Sequence, residues 1–297
     1  MISFHVLGSG SAVPSPDHGQ PAYWVVVDGH SLLLDPGPGA LVRLVNSPHC
    51  PDSLDGIETV LLTHFHLDHC ADLAPLLFAL RSPLLEATRP LHLVGPPGLT
   101  RYLDGLRQLY GRWMTPLRRR LELTEIEPGQ TLLAADAPVA GWRAETSGHR
   151  HSATGPSLLA FAAAHGDPAA GEVSLGYRFV DETGRSVVFS GDSGPCPDLR
   201  RMARETDLLV VECAGGCEQA VVGHLTAEDV GALGAETKPG KLVLTHLQPT
   251  PGAAASPEHE QRLFTRVGRT FTGPLQVAHD GDLYEVSQPD PDSEEQP

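Results

Sequence analysis

The chain has 297 residues, 40% of them hydrophobic and 5% aromatic, which is compatible with a single α/β domain that buries a large core. Its 21 Lys and Arg residues against 37 Asp and Glu residues give a formal charge of −16, which argues against tight binding of long nucleic acids. No apolar run reaches the roughly 18 residues of a membrane span. The five cysteines are scattered and the N-terminus lacks the basic region of a signal peptide, so we expect a cytoplasmic protein.

Strands and helices alternate along most of the chain. Hydrophobic periodicity predicts strands at 2–7, 22–27, 31–34, 58–62, 91–94, 121–126, 139–145, 175–180, 186–190, 207–211, 241–245 and 275–278. It predicts helices at 40–46, 70–80, 98–110 and 226–236. Early hairpins followed by β–α alternation indicate sheets covered by helices. Residues 287–297 are acidic and rich in proline, which predicts a disordered tail after a single domain at 1–286.

Four metal-ligand side chains fall within six positions directly after the strand predicted at 58–62. They are His64, His66, Asp68 and His69, in the pattern H-x-H-x-D-H. Imidazole nitrogen and carboxylate oxygen are ligands that zinc takes in catalytic sites, at roughly 2.0–2.2 Å. Four such groups buried without a metal would each need other polar partners. The pattern therefore predicts a metal site at the end of this strand.

Two metals need more ligands than this loop holds, and three other predicted strands are followed by candidates. Asp192 follows the strand at 186–190, and His246 follows the strand at 241–245. His149 and His151 both follow the strand at 139–145. His165 and His259 lie in polar, loop-like contexts, and we expect both to be surface residues.

These motifs, in this order, resemble those of the metallo-β-lactamase-fold hydrolases, and most closely the ribonuclease Z-like subgroup. The matching segments are Gly8 to Ser11, Leu34 to Gly37, Thr63 to His69, His151, Ser190 to Ser193, Glu212, His224 to Thr226, and Thr245 with His246. The resemblance covers most of the chain. It implies an α/β fold, a four-layer αββα sandwich with a binuclear metal site along one edge.

The resemblance also implies a role for each candidate ligand. One metal would be held by His64, His66 and His151, the second by Asp68, His69 and His246, and Asp192 would bridge them. We favour His151 over His149 because Ser152 follows it. Asp35 resembles the family's carboxylate that orients ligand imidazoles. Two Zn²⁺ ions are implied, although manganese, iron and cobalt fit similar ligands.

Such a site hydrolyses its substrate through water. Two zinc ions roughly 3.5–4 Å apart share one water and lower its pKa towards 7, so that a bridging hydroxide can attack. Asp68 would aim this nucleophile. By analogy with phosphodiesterase members, His224 would protonate the leaving group, with Glu212 as its orienting partner. Thr226 is also predicted to cap the helix at 226–236, with Asp229 at the capping-box position.

The expected substrate class follows from a difference between this chain and the family members that process transfer RNA. Members that process transfer RNA carry a long arm, usually between the third-motif histidine and the bridging aspartate. Here residues 152–175 contain no Lys or Arg and are rich in alanine, which predicts a lid or a dimer contact rather than a tRNA clamp. We therefore expect a phosphodiesterase that acts on a small phosphodiester or a short nucleotide.

Four other functions stay open at this point. They are a lactonase or β-lactamase-type carbonyl hydrolase, a tRNA 3′-processing endonuclease, an iron-dependent oxidoreductase, and a binding protein built on a degenerate site. The oxidoreductase needs a flavin partner domain for which this chain has no room. A homodimer, common among such proteins, is compatible with the sequence.

Overall fold

The computed structural model describes residues 1–134, 142–144, 155–215, 221–248 and 257–286. The strands of the first sheet are β1 (Ile2–Gly8), β2 (Ala22–Val27), β3 (His30–Leu34), β4 (Thr59–Leu61), β5 (Leu91–Gly95), β6 (Leu121–Glu125) and, near the C-terminus, β15 (Leu283–Val286). Their order in the sheet is β15-β1-β2-β3-β4-β5-β6. The strands from β15 to β3 pair antiparallel, and those from β3 to β6 pair parallel.

The second sheet follows in the chain. Its strands are β7 (Thr131–Ala134), β8 (Trp142–Ala144), β9 (Ser157–Ala162), β10 (Leu175–Val180), β11 (Ser186–Phe189), β12 (Leu208–Glu212), β13 (Lys241–Thr245) and β14 (Leu275–Val277). Their order is β14-β13-β12-β11-β10-β9-β7-β8. The strands from β11 to β14 are parallel, so the loops after β11, β12 and β13 leave the sheet at one edge.

Helices cover the outer faces of both sheets. They are α1 (Ala40–Asn46), α2 (Leu67–Cys70), α3 (Leu73–Ala79), α4 (Leu99–Tyr110), α5 (Pro197–Met202), α6 (Ala227–Thr237) and α7 (Pro257–Val267). One apolar cluster joins the inner faces of the two sheets, a second joins the first sheet to α1, α3 and α4, and a third joins the second sheet to α5, α6 and α7. Three interlayer cores make four layers, which confirms the predicted αββα sandwich.

Five of the described strands and helices were not predicted from the sequence. They are the strands β7, β9 and β15 and the helices α5 and α7. Residues 157–162 of the segment that we expected to be a lid or a dimer contact form β9, which pairs with β10 on one side and with β7 on the other, so this part is not a lid. The dimer contact stays a prediction. Leu158, Ala160 and Phe161 of this strand are buried, and Leu158 and Ala160 belong to the core between the two sheets.

Two further expectations have different outcomes. The predicted cap of α6 is confirmed, since Thr226 and Asp229 form a complete capping box. The predicted strand at 139–145 is described only at 142–144, where β8 lies. The tail at 287–297 lies outside the described residues. Among the helices that are described, none has both the length and the apolar character required to cross a membrane.

Candidate metal centre

The metal motif occupies the loop between β4 and α2. Asp35, at the end of β3, holds this loop: its Oδ1 accepts the Thr63 backbone N–H at 2.8 Å and its Oδ2 accepts the Thr63 hydroxyl at 2.8 Å. The same Oδ2 lies 3.0 Å from Nδ1 of His69. A carboxylate only accepts hydrogen bonds, so Nδ1 of His69 carries a hydrogen, and in the neutral ring the lone pair lies on Nε2. Asp35 therefore orients a candidate ligand, as predicted.

A hydroxyl fixes His64 in the same way. The Thr63 hydroxyl donates to Asp35, so its oxygen is left to accept from Nδ1 of His64, 3.0 Å away. Nε2 of His64 then has its lone pair free, and this buried atom has no hydrogen-bond partner. An unpaired buried nitrogen is costly unless something else takes its lone pair. The local bonds thus aim two imidazole lone pairs, from His64 and His69, into the space beyond the motif.

A first cluster lies on one side of this space. It consists of His64, His66, His165 and Asp192, whose candidate ligand atoms all lie within 4.8 Å of one another. Nε2 of His165 lies 3.1 Å from Nδ1 of His66 and 3.9 Å from Oδ2 of Asp192. Nε2 of His64 lies 3.8 Å from the same Asp192 oxygen. Atoms at these separations can share one cation with ligand bonds of roughly 2.0–2.2 Å.

A second cluster lies on the other side. It consists of Asp68, His69, Asp192 and His246. Nε2 of His69 and Nε2 of His246 are 3.2 Å apart, and each lies 3.3 Å from Oδ1 of Asp192. Oδ2 of Asp68 lies 3.4 Å from Nε2 of His246. Asp192 thus belongs to both clusters and presents a different oxygen to each.

The loop that carries Asp192 depends on a glycine. Gly191 has φ of +57°, and a Cβ there would lie 2.5 Å from the carbonyl oxygen of Leu175 and 3.2 Å from Cβ of Thr63. Only glycine fits both the backbone conformation and the space. This close approach brings the end of β11 against the metal motif, which is how residues far apart in the chain meet.

The pKa values of three site residues are strongly shifted. Burial disfavours ionisation of Asp192, but His246 and His69 face the carboxylate and hold its pKa well below the usual range. Burial lowers the pKa of His64 well below its usual value, and His69 adds to this effect. His69 also loses solvation, yet Asp192 and Asp35 raise its pKa well above its usual value. Such strong coupling of imidazoles and carboxylates is characteristic of functional sites.

The donor set fits divalent cations. Imidazoles and carboxylates converge from both sides, Nε2 of His64 and Oδ1 of Asp192 are buried without hydrogen-bond partners, and two imidazole nitrogens face each other. Each of these features is unfavourable in a purely structural cluster and is relieved by a cation. The described residues therefore fit bound metal ions, and imidazole with carboxylate is a ligand set that zinc takes.

His165 is the residue that sequence reasoning missed. The expectation that it is a surface residue is wrong, because its side chain is only 7% exposed. Its Nδ1 lies 3.0 Å from the carbonyl oxygen of Gly223, which can only accept, so its Nε2 keeps the lone pair that faces the first cluster. A signal was available: His165 follows a strand, as Asp192 and His246 do, but the alanine-rich strand before it was not recognised. His149 and His151 lie outside the described residues.

A carboxylate–imidazole pair lies beside the two clusters. Oε1 of Glu212, at the end of β12, lies 2.9 Å from Nδ1 of His224, and the two Glu212 oxygens also accept backbone N–H groups of Ser193 and Ala214. Burial opposes protonation of His224, but the bond to Glu212 raises its pKa. Its ring centroid is 4.8 Å from that of His165 and 5.7 Å from that of His246. The predicted Glu212–His224 contact is confirmed.

Comparisons with known proteins agree with this fold. Residues 30–247 match the family described as the beta-lactamase superfamily domain. A ribonuclease Z from Mycobacterium marinum is 28% identical over 96% of this chain and 99% of its own length. The metallo-beta-lactamase fold protein YhfI from Bacillus subtilis superposes with a TM-score of 0.73 at 21% identity, over 96% of this chain and 99% of that one. The short form of human tRNase Z has a TM-score of 0.69, also at 21% identity and with the same coverage. The chain therefore belongs to the β-lactamase superfamily and is a ribonuclease Z-like protein of the metallo-β-lactamase fold.

Proposed function

We propose that this chain is a binuclear zinc phosphodiesterase. Its family and its histidine–aspartate clusters support the coarser statement that it is a metal-dependent hydrolase of the ribonuclease Z type. The observation that carries the finer proposal is the position of Asp192, which turns Oδ2 towards one cluster and Oδ1 towards the other. A carboxylate shared in this way is suited to bridge two cations.

The proposed ligands follow from the two clusters. His64, His66 and His165 hold the first metal, Asp68, His69 and His246 hold the second, and Asp192 bridges them. His165 replaces His151 in this assignment, since its lone pair faces the cluster. Metal ions held by these residues would supply a water that is acidic near neutral pH and would neutralise charge on the phosphate oxygens.

Residues of the chain supply positioning and proton transfer. Asp68 is only 8% exposed and its carboxylate lies beside His246, so it can accept a hydrogen bond from the attacking water and orient it. His224 keeps the hydrogen on Nδ1 for Glu212, and the raised pKa favours a second proton on Nε2. That proton can pass to the leaving alkoxide, which is general acid catalysis by a positioned imidazole.

The substrate we propose is a small phosphodiester or a short nucleotide. The formal charge of −16 opposes a long polyanion, and residues 155–175 carry no Lys or Arg with which to bind its phosphates. Cleavage of precursor tRNA is the second candidate, because the similarity to ribonuclease Z covers 96% of the chain. The Glu212–His224 pair can supply the proton that a departing alkoxide needs, and by analogy with phosphodiesterase members of the family we infer phosphodiester rather than lactone or β-lactam hydrolysis.

Turnover of four kinds of substrate by the zinc-loaded protein tests this function. We expect hydrolysis of bis(p-nitrophenyl) phosphate and of short or cyclic nucleotides, and none of nitrocefin or a homoserine lactone. Faster cleavage of precursor tRNA than of short nucleotides would overturn the proposed substrate class. Failure to hydrolyse any phosphodiester when two metals are bound would overturn the function itself.

A matched pair of variants tests whether Asp192 is the bridging ligand on which turnover depends. Asp192→Asn keeps the size of the side chain but removes the shared charge, and we expect loss of bound metal together with turnover. Asp104→Asn makes the same chemical change on the exposed surface of α4 and should leave both unchanged. Equal metal content in the two variants would contradict the bridging role.

A further inference from the structure

A second group of metal-binding side chains lies outside the candidate active site. His18 comes from the loop after β1, Glu260 from α7, and His279 from the turn between β14 and β15. Their candidate ligand atoms all lie within 4.8 Å of one another. None of the three belongs to the proposed binuclear centre, and they meet only because the chain ends pack together.

Local hydrogen bonds aim His18 at this group. The Ser9 hydroxyl donates to Oδ1 of Asp280 at 2.9 Å, which leaves its oxygen free to accept from Nδ1 of His18 at 2.7 Å. Nδ1 of His18 therefore carries the hydrogen, and Nε2 keeps its lone pair. A neutral imidazole oriented by a bond at its other nitrogen is the usual form of a metal ligand.

The other two residues complete a donor set. Nε2 of His279 lies 2.8 Å from Oε1 of Glu260, and Oδ2 of Asp282 lies 3.8 Å from Nδ1 of the same ring. A hydrogen bond between His279 and Glu260 explains these two residues alone. It does not explain why the buried His18 ring lies 5.4 Å from the His279 ring, centroid to centroid. A shared cation explains all three.

We propose that His18, Glu260 and His279 bind a third divalent cation of the zinc class. Two imidazoles and one carboxylate form a donor set that zinc takes, whereas magnesium and calcium prefer oxygen ligands alone. Glu260 and His279 line a surface cavity of about 800 Å³, so an ion can enter and the fourth position can be taken by water. This site is separate from the proposed function and does not depend on it.

The position of the site gives the cation a structural role. Asp280 accepts from the backbone N–H groups of Ser9 and Gly19, and the Ser9 carbonyl accepts the N–H of Leu247 at 3.1 Å. Leu247 directly follows the candidate ligand His246. A cation on His18, Glu260 and His279 would therefore cross-link the loop after β1, helix α7 and the β14–β15 turn next to the active-site edge. We expect it to stabilise the fold rather than to react.

Metal content measured on matched variants tests the site. The wild type, Glu260→Gln, His279→Asn and Glu258→Gln are loaded with zinc chloride, desalted and analysed by mass spectrometry for metal per chain. Glu258 is exposed on the same helix and lies outside the cluster, so its variant is the control. We expect Glu260→Gln and His279→Asn to hold about one ion per chain fewer than the control. Equal content in all four proteins would overturn the proposal.

Two more measurements keep the result separate from the binuclear centre. Glu258→Gln and Glu260→Gln are also made in the Asp192→Asn protein. This protein should lose active-site metal, yet its two double variants should still differ in metal content, so that failure of one proposal can be told from failure of the other. Zinc should raise the thermal midpoint of Glu258→Gln more than that of Glu260→Gln, because a ligand that binds only the folded state stabilises it. Identical zinc-induced shifts in the two variants would count against a third site. Glu260→Gln preserves shape and hydrogen bonding, so it carries the test if His279→Asn does not fold.

Discussion

Replacing His165 by alanine removes the third imidazole of the first cluster. The ring is held from behind by the Gly223 carbonyl, and its Nε2 lies 3.1 Å from the nearest nitrogen of His66. The change therefore leaves two imidazoles and one carboxylate oxygen for the first cation. The second cluster, built on Asp68, His69 and His246, is unchanged.

The magnitude follows from the role of the atom. Mutation of a residue that only orients a metal ligand lowers metal affinity by about 10–100-fold. Loss of a ligand itself should lower the affinity by at least the same factor. This corresponds to about 1.4–2.7 kcal/mol of binding free energy. Because turnover needs both cations, we expect activity at limiting zinc to fall by at least the same factor.

Zinc titration followed by turnover of bis(p-nitrophenyl) phosphate measures both effects. His151→Ala tests the histidine favoured by sequence, and His49→Ala, on the exposed surface, is the matched control. We expect weakened zinc binding in His165→Ala and wild-type behaviour in His49→Ala. Full zinc affinity and activity in His165→Ala, with loss in His151→Ala, would refute the assignment of His165 and restore the sequence-based one.

Three further changes test other parts of the site. In Glu212→Gln, the partner that raises the pKa of His224 loses its charge, so the pKa falls and the basic limb of the pH–rate profile moves to lower pH; an unmoved limb would exclude His224 as the acid. Asp35→Asn should weaken zinc binding by about 10–100-fold through His69, and an unchanged zinc titration would show that this bond has no effect on the metal. Thr226→Ala removes the capping bonds of α6 and should lower the free energy of unfolding by about 1 kcal/mol in a urea titration. An unchanged free energy of unfolding would show that the cap does not stabilise the protein.

Features that depend on neighbours in the chain were predictable. The motif at 64–69 places four ligand side chains within six consecutive residues, so their proximity needs no knowledge of the fold. The capping box of Thr226 and Asp229 is local for the same reason. Asp192 and His246 could also be predicted as site residues, because the residues that follow parallel strands lie at one edge of the sheet.

Features that depend on the approach of distant strands could not be predicted from the sequence. His165 was missed because Ala160 and its neighbours show little hydrophobic alternation, although β9 is buried between β7 and β10. The His18, Glu260 and His279 cluster draws on both ends of the chain, and no spacing in the sequence relates residues so far apart.

The sequence by itself determined sheets covered by helices, from periodicity, and the chemical nature of the main site, from ligands close together in the chain. The family and its four-layer sandwich followed from the resemblance of the ordered motifs. Only the tertiary structure decided which histidine completes the first cluster, which oxygen of Asp192 faces which group, and where a third cation can bind. The physical reason is that ligand chemistry belongs to each residue, whereas the few ångströms that separate two ligand atoms are set by how the two sheets and their loops pack.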